Sequence, residues 1–115
     1  MPEMSQYILS ALYIIHIGYK NDLSLNETAR QINVSIPYLS AQFKKALGIS
    51  FNAYLTSVRM RKAEQLLSQT NTRIHEIAQA VGYDDSRYFS RIFHKVYGVT
   101  PTEFRMAIQQ EGAHP

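Results

Sequence analysis

The sequence predicts an all-α fold of about seven helices, arranged as two helix-turn-helix subdomains joined by a connector helix. Three observations carry that expectation. Apolar residues recur at helical spacing along almost the whole chain, and no stretch alternates as a strand does. Ser, Thr, Asp, Gly and Pro stand where helix caps and stops belong. The second half of the chain also echoes the first.

Ile8, Leu12, Ile15 and Tyr19 predict a first helix of roughly Ser5 to Tyr19, broken by Asn21 and Asp22. Ser24 and Glu27 have capping-box spacing, each side chain suited to an orphan backbone N–H. They open a short helix with Leu25, Thr28, Ala29 and Ile32 inward. Asn33 ends it, because Asn tolerates the left-handed conformation of a sharp turn. Ser35 caps the next helix, Pro37 lies in its first turn, Leu39, Phe43 and Leu47 form its inner face, and Gly48 closes it. Ser50 caps a longer helix running to about Ser68, with Phe51, Leu55, Val58, Ala63, Leu66 and Leu67 as its inner stripe. After a polar break at Gln69 to Thr72, Ile74 to Val81 forms another short helix, stopped by Gly82. Asp84 or Asp85 caps a helix that buries Phe89, Phe93, Val96 and Tyr97 and ends at Gly98. Thr100-Pro101-Thr102-Glu103 combines a capping box with proline at the first helical position, and the last helix runs to about Gln110. The expected organisation is a first helix-turn-helix subdomain at 5–50, a connector helix at 51–68, a second subdomain at 69–110 and a frayed tail at 111–115.

Composition narrows the function classes. The chain has 115 residues, 45% of them hydrophobic, enough for one compact domain or two very small ones sharing a core. Lys and Arg number 12 against 9 Asp and Glu, a formal charge of +3. The mild basicity is weak evidence for a polyanionic partner. Cysteine is absent, which removes disulfides, thiolate metal sites and a Cys nucleophile and fits a reducing, cytoplasmic setting. No apolar run approaches the ~18 residues of a membrane span, and Met1 to Ser10 lacks the features of a signal peptide. His16, His75, His94 and His114 have no metal-ligand spacing, there is no Gly-rich phosphate loop, and Asp84 and Asp85 read as caps. No cofactor, metal or catalytic site is expected, and the chain is not expected to be an enzyme.

The repeat is the most specific feature. Ala29 matches Ala78 and Ile32 matches Val81 at an offset of 49. After one inserted residue in the turn the offset becomes 50, matching Tyr38 with Tyr88, Ser40 with Ser90, Phe43 with Phe93, Lys45 with Lys95 and Gly48 with Gly98. Ser50 corresponds to Thr100 and Tyr54 to Phe104. Each copy is a short helix, a tight turn and a second helix closed by glycine, the pattern of a helix-turn-helix unit.

The run Gly82-Tyr83-Asp84-Asp85-Ser86-Arg87-Tyr88-Phe89-Ser90-Arg91-Ile92-Phe93-His94-Lys95, with Gly98-Val99-Thr100-Pro101 and Phe104-Arg105, resembles the signature of the AraC/XylS family of bacterial transcription regulators. Arg59, Lys62, Ala63, Leu66 and Leu67 are also similar, and the resemblance spans roughly residues 5–108. Arg87, His94 and Pro37 depart from the residues usual at their positions. The resemblance implies a bilobed domain that offers two recognition helices to successive major grooves about 34 Å apart. It implies double-stranded DNA and RNA polymerase as partners. It also implies a sensor, receiver or dimerisation domain of the same protein. Such a domain has no room in this chain, which is then either a stand-alone regulator or a piece of a longer one.

Periodicity separates the faces of the two recognition helices. Ile36, Pro37, Ser40 and Ala41 in the first, and Ser86, Arg87, Ser90 and Arg91 in the second, fall outward and match the family's base-facing positions. Lys44, Lys45, His94, Lys95 and Arg105 are the candidate phosphate contacts, joined by the helix N-termini after Ser24, Ser50, Thr72 and Thr100. Arg binds guanine O6 and N7 in a bidentate way, so the second copy is expected to supply more base readout than the first. Arg59, on the apolar side of the connector, is expected to be structural, with Glu76, Asp84 or Asp85 as partner. Tyr38, Tyr54, Tyr83, Tyr88 and Tyr97 are expected near the core. The competing reading is a helical protein-interaction module that has lost DNA binding. An exposed apolar stripe on the second recognition helix would favour it.

Overall fold

Side-chain caps set where most of the helices begin. In the computed structural model, which describes residues 4–113, seven helices follow in order: α1 (Gln6–Gly18), α2 (Leu25–Gln31), α3 (Ile36–Leu47), α4 (Phe51–Gln69), α5 (Ile74–Ala80), α6 (Ser86–Tyr97) and α7 (Pro101–Ala113). No strand occurs among the described residues. Ser5, Ser24, Ser35 and Asp85 accept N–H groups at the starts of α1, α2, α3 and α6, and Ser50 does so for α4. Thr100 and Glu103 close a full capping box on α7, at 3.1 Å and 2.9 Å. The Thr100 N–H donated to Glu103 holds that carboxyl below its usual range. The box at α2 is half made: the Glu27 N–H reaches Ser24 Oγ at 3.0 Å, but the Glu27 carboxylate turns to Arg30. At α5 the capping residue is Arg73, with no side-chain cap bond, so Thr72 does not cap that helix.

Helices α3 and α6 end alike. Gly48 and Gly98 adopt φ of 81° and 79°, the left-handed conformation that closes α3 and α6. A methyl group at Gly98 would meet nothing within 4 Å, so a side chain there is opposed only by backbone strain. Gly98→Ala is expected to cost about 1–2 kcal/mol and Gly98→Asn less, read from urea unfolding midpoints.

The chain divides into two compact units, residues 1–58 and 59–115, and the boundary falls inside α4. Each unit has its own core. The first gathers Ile8, Ala11 and Ile15 of α1 with Ala29, Leu39, Phe43, Phe51 and Leu55. The second gathers Met60, Ala63 and Leu67 with Ile77, Ala78, Val81, Phe89 and Phe93. The expectation of a possible shared core is corrected, because α4 contributes its first half to one core and its second half to the other. Met60, absent from the expected stripe, is fully buried. It falls off the spacing of Phe51, Leu55 and Val58 because it serves a different core. The repeat therefore extends further than the turns: Ile8, Ala11 and Ile15 stand 52 residues before Met60, Ala63 and Leu67 and do the same work.

Three further positions differ from expectation. Val96 is 51% exposed. The inward row in α6 is Phe89, Phe93 and Tyr97, each four residues on, and Val96 lies one position off it. Tyr38 and Tyr88 are exposed at 42% and 47%, whereas Tyr54 and Tyr97 are half-buried and Tyr83 is buried. α7 continues past Gln110 to Ala113, so the expected fraying at 111–113 is not seen; His114 and Pro115 lie outside the described residues.

Tyr97 lies against Phe93 and Phe104, at ring-centroid distances of 4.5 Å and 6.0 Å, and its hydroxyl donates to Glu64 at 3.1 Å. Burial, then the Glu64 carboxylate, pushes its pKa up to about 12 from 10.0. The folded state thus holds this proton more tightly than the unfolded chain. The associated stability is complete below the unfolded value near pH 10.0 and is lost as pH rises through about 12. Between those limits the wild type is expected to lose stability faster than Tyr97→Phe, read as urea midpoint against pH; parallel curves contradict this.

Candidate nucleic-acid interface

Two turns built the same way position the candidate site. At the end of α2, the Val34 N–H donates to Ala29 O at 3.0 Å and the Asn33 N–H to Arg30 O at 3.2 Å, with Asn33 at φ 61°. At the end of α5, the Tyr83 N–H donates to Ala78 O at 2.8 Å and the Gly82 N–H to Gln79 O at 3.1 Å, with Gly82 at φ 106°. Each donor and acceptor pair is shifted by 49 residues. The inserted residue is Asp84, since Asp85 caps α6 as Ser35 caps α3.

α3 buries Leu39 and Phe43 and leaves Ile36, Pro37, Ser40, Ala41 and Lys44 exposed. α6 buries Phe89 and Phe93, leaves Arg87, Arg91, His94 and Lys95 exposed, and keeps Ser86 and Ser90 half-buried. Lys45 is exposed as well. Neither helix contains an acidic residue, but Glu103 of α7 interacts with His94. Lys44 and Lys45 close α3, and His94 and Lys95 close α6. The outer face of α3 is apolar at Ile36, Pro37 and Ala41, whereas α6 carries guanidinium groups at the positions of Pro37 and Ala41.

Arg105 does not belong to this face. Its guanidinium is half-buried and donates to four carbonyls: Leu67 at 3.1 Å, Thr72 at 2.6 Å, Leu66 at 3.3 Å and Thr70 at 3.2 Å. Four of its five N–H donors are thereby committed to the C-terminal end of α4 and the segment leading to α5. This corrects its assignment as a phosphate contact. The repeat itself holds the signal: Arg105 aligns at an offset of 50 with Leu55, a core residue. Arg59 is half-buried, and its guanidinium lies 5.3 Å over the Tyr83 ring. The sequence points to acidic or carbonyl partners for a buried arginine, and this aromatic contact is an addition to that expectation.

A family model described as a helix-turn-helix domain matches residues 28–107. The chain is 33% identical over 112 residues to the arabinose operon regulatory protein of Escherichia coli, covering 96% of this chain and 38% of that protein. It belongs to the AraC/XylS family of transcription regulators. Another relative of this AraC/XylS domain is the Msm operon regulatory protein of Streptococcus mutans, 36% identical over 103 residues, covering 90% of this chain and 37% of that protein. The domain thus spans little more than a third of the length of either regulator. Among solved structures, the C-terminal domain of AraT, a response regulator from Geobacillus stearothermophilus, matches it with a TM-score of 0.90 and 43% identity, over 92% of this chain and 88% of that one. The family is one of transcription regulators and not of enzymes. Among the described residues no helix is long and apolar enough to cross a membrane.

Proposed function

We propose that this AraC/XylS domain is a sequence-specific reader of double-stranded DNA that offers α3 and α6 to major grooves, with RNA polymerase as the further partner of the regulator it serves. The observation that carries the proposal is the outer face of α6, where Arg87, Arg91, His94 and Lys95 are all exposed and no acidic residue interrupts them. Guanidinium groups at that spacing suit guanine edges, and the Lys and His positions suit phosphates. In this reading Ile36, Pro37, Ser40 and Ala41 meet DNA through shape and thymine methyls, Ser86 and Ser90 flank the two arginines, and Lys44, Lys45, His94 and Lys95 neutralise phosphates. The test is electrophoretic mobility of a mixed duplex. Binding that weakens steeply between about 50 and 200 mM salt is expected; no binding, or binding indifferent to salt, contradicts it.

A specific observation favours a second contact. α1 contains no Asp, Glu, Lys or Arg, and its outward Leu9, Tyr13 and Ile17 are 54%, 65% and 62% exposed. Exposed apolar rows of this kind mark interaction surfaces. We assign this face to a sensor, receiver or dimerisation domain of a longer polypeptide. The greater length of the relatives and the response-regulator origin of the AraT domain support that assignment. Amide exchange in α1 is expected to be slower in the longer polypeptide than in the 115-residue chain; equal rates contradict it.

A further inference from the structure

Arg91 is not a free side chain on the surface of α6. Its guanidinium carbon lies 5.9 Å from the centre of the Tyr88 ring, one turn earlier. That ring is held in turn. Tyr88 lies 5.9 Å from the ring of Tyr83, and Tyr83 lies 5.7 Å from Phe89. Tyr83 is buried, and its ring also lies 5.3 Å from the Arg59 guanidinium. A row of rings therefore runs from the second core to the outer face of α6 and ends under a guanidinium. The first copy has the ring without the cation: Tyr38 packs edge-on to Tyr7 at 6.1 Å, but Ala41 stands where Arg91 does.

We propose that Tyr88 is a positioning residue for base readout, its ring holding the Arg91 guanidinium in place before DNA arrives. This rests on the reading that α6 faces base edges. A long side chain loses rotamer freedom when it makes a bidentate contact, and one already held loses less. A cation–π contact at an exposed site supports about a two- to fivefold bias toward the held rotamer. That bias enters only the contact Arg91 makes with its base pair. Tyr88 thus contributes to discrimination between sequences and not to affinity for DNA in general. It also accounts for a half-exposed tyrosine on a polar face.

The experiment measures affinity of the 115-residue chain for its selected duplex, for the duplex with the base pair under Arg91 exchanged, and for mixed duplex. Tyr88→Leu is expected to lower the ratio of the first two affinities about two- to fivefold, leaving binding to mixed duplex and its salt dependence unchanged. Tyr88→Phe, which keeps the ring, is expected to behave as wild type. In an Arg91→Ala background, Tyr88→Leu is expected to change nothing further. The wild-type Arg91 side-chain resonances should also be shifted upfield by the ring, whether or not the leucine variant folds. Equal loss on every duplex, loss on Tyr88→Phe, persistence of the effect in Arg91→Ala, or unshifted Arg91 resonances would each overturn the proposal. Failure of the wild type to bind any duplex would sink the DNA reading and this proposal together; wild-type binding with an unchanged ratio in Tyr88→Leu sinks only the role of Tyr88.

Discussion

Replacing Arg105 with alanine is expected to destabilise the chain by about 2–4 kcal/mol, read as a lower urea midpoint. Four carbonyls lose a charged donor in this variant, those of Leu66, Leu67, Thr70 and Thr72. Two of them belong to the last turn of α4, where the helix dipole also favours a cation. Water can reach part of this region, which keeps the cost below that of a fully buried charge. Arg105→Lys is expected to restore less than half the loss, because an ammonium group cannot reach several diverging carbonyls from one plane. A loss under about 0.5 kcal/mol, within the range of ordinary surface substitutions, together with weaker DNA binding on all sequences, would return Arg105 to the role of phosphate contact.

Arg91→Ala is expected to leave the fold intact and to remove about 1–3 kcal/mol of discrimination at one base pair. The side chain is exposed, so little packing is lost. Binding to mixed duplex is expected to fall only slightly, since the phosphate contacts remain. The matching change in the first copy is Ser40→Ala, which removes one hydroxyl from a face otherwise apolar at Ile36, Pro37 and Ala41. Its effect on sequence preference is expected to be smaller. Competition between duplexes differing at single base pairs separates the two variants. A uniform loss across sequences would make Arg91 a phosphate contact instead.

Local chemistry was readable in advance, and long-range chemistry was not. Ser24, Ser35, Ser50, Asp85 and Thr100 are caps because their oxygens reach N–H groups two or three residues away. Asn33, Gly48 and Gly98 mark left-handed backbone for an equally local reason. The outward faces of α3 and α6 followed from helical period and the positions of Leu39, Phe43, Phe89 and Phe93. Arg105 was misread because its partners lie 33 to 39 residues earlier in the chain, and no local pattern announces them. Met60 was missed because a single stripe was fitted to a helix that serves two cores. Val96 reads as inward beside Tyr97 because it is apolar, but only Tyr97 keeps the four-residue spacing of Phe89 and Phe93. Alignment of the two copies would have corrected all three: Arg105 pairs with buried Leu55, Met60 with buried Ile8, and Val96 with exposed Ala46. Arg59 over Tyr83 and Arg91 over Tyr88 had no such guide, since neither arginine has a cationic counterpart in the first copy.

The two copies share one scaffold, and the proposal is that the second carries the groups that read bases. Selection of bound duplexes from a randomised pool, run in parallel for the wild type, Arg91→Ala and Ser40→Ala, tests that claim most directly. The wild type is expected to select two half-sites, one with markedly stronger base preference; Arg91→Ala should weaken the preference at one base pair of that half-site, and Ser40→Ala should leave it sharp. Half-sites of equal strength, or a motif altered more by Ser40→Ala than by Arg91→Ala, would contradict the account.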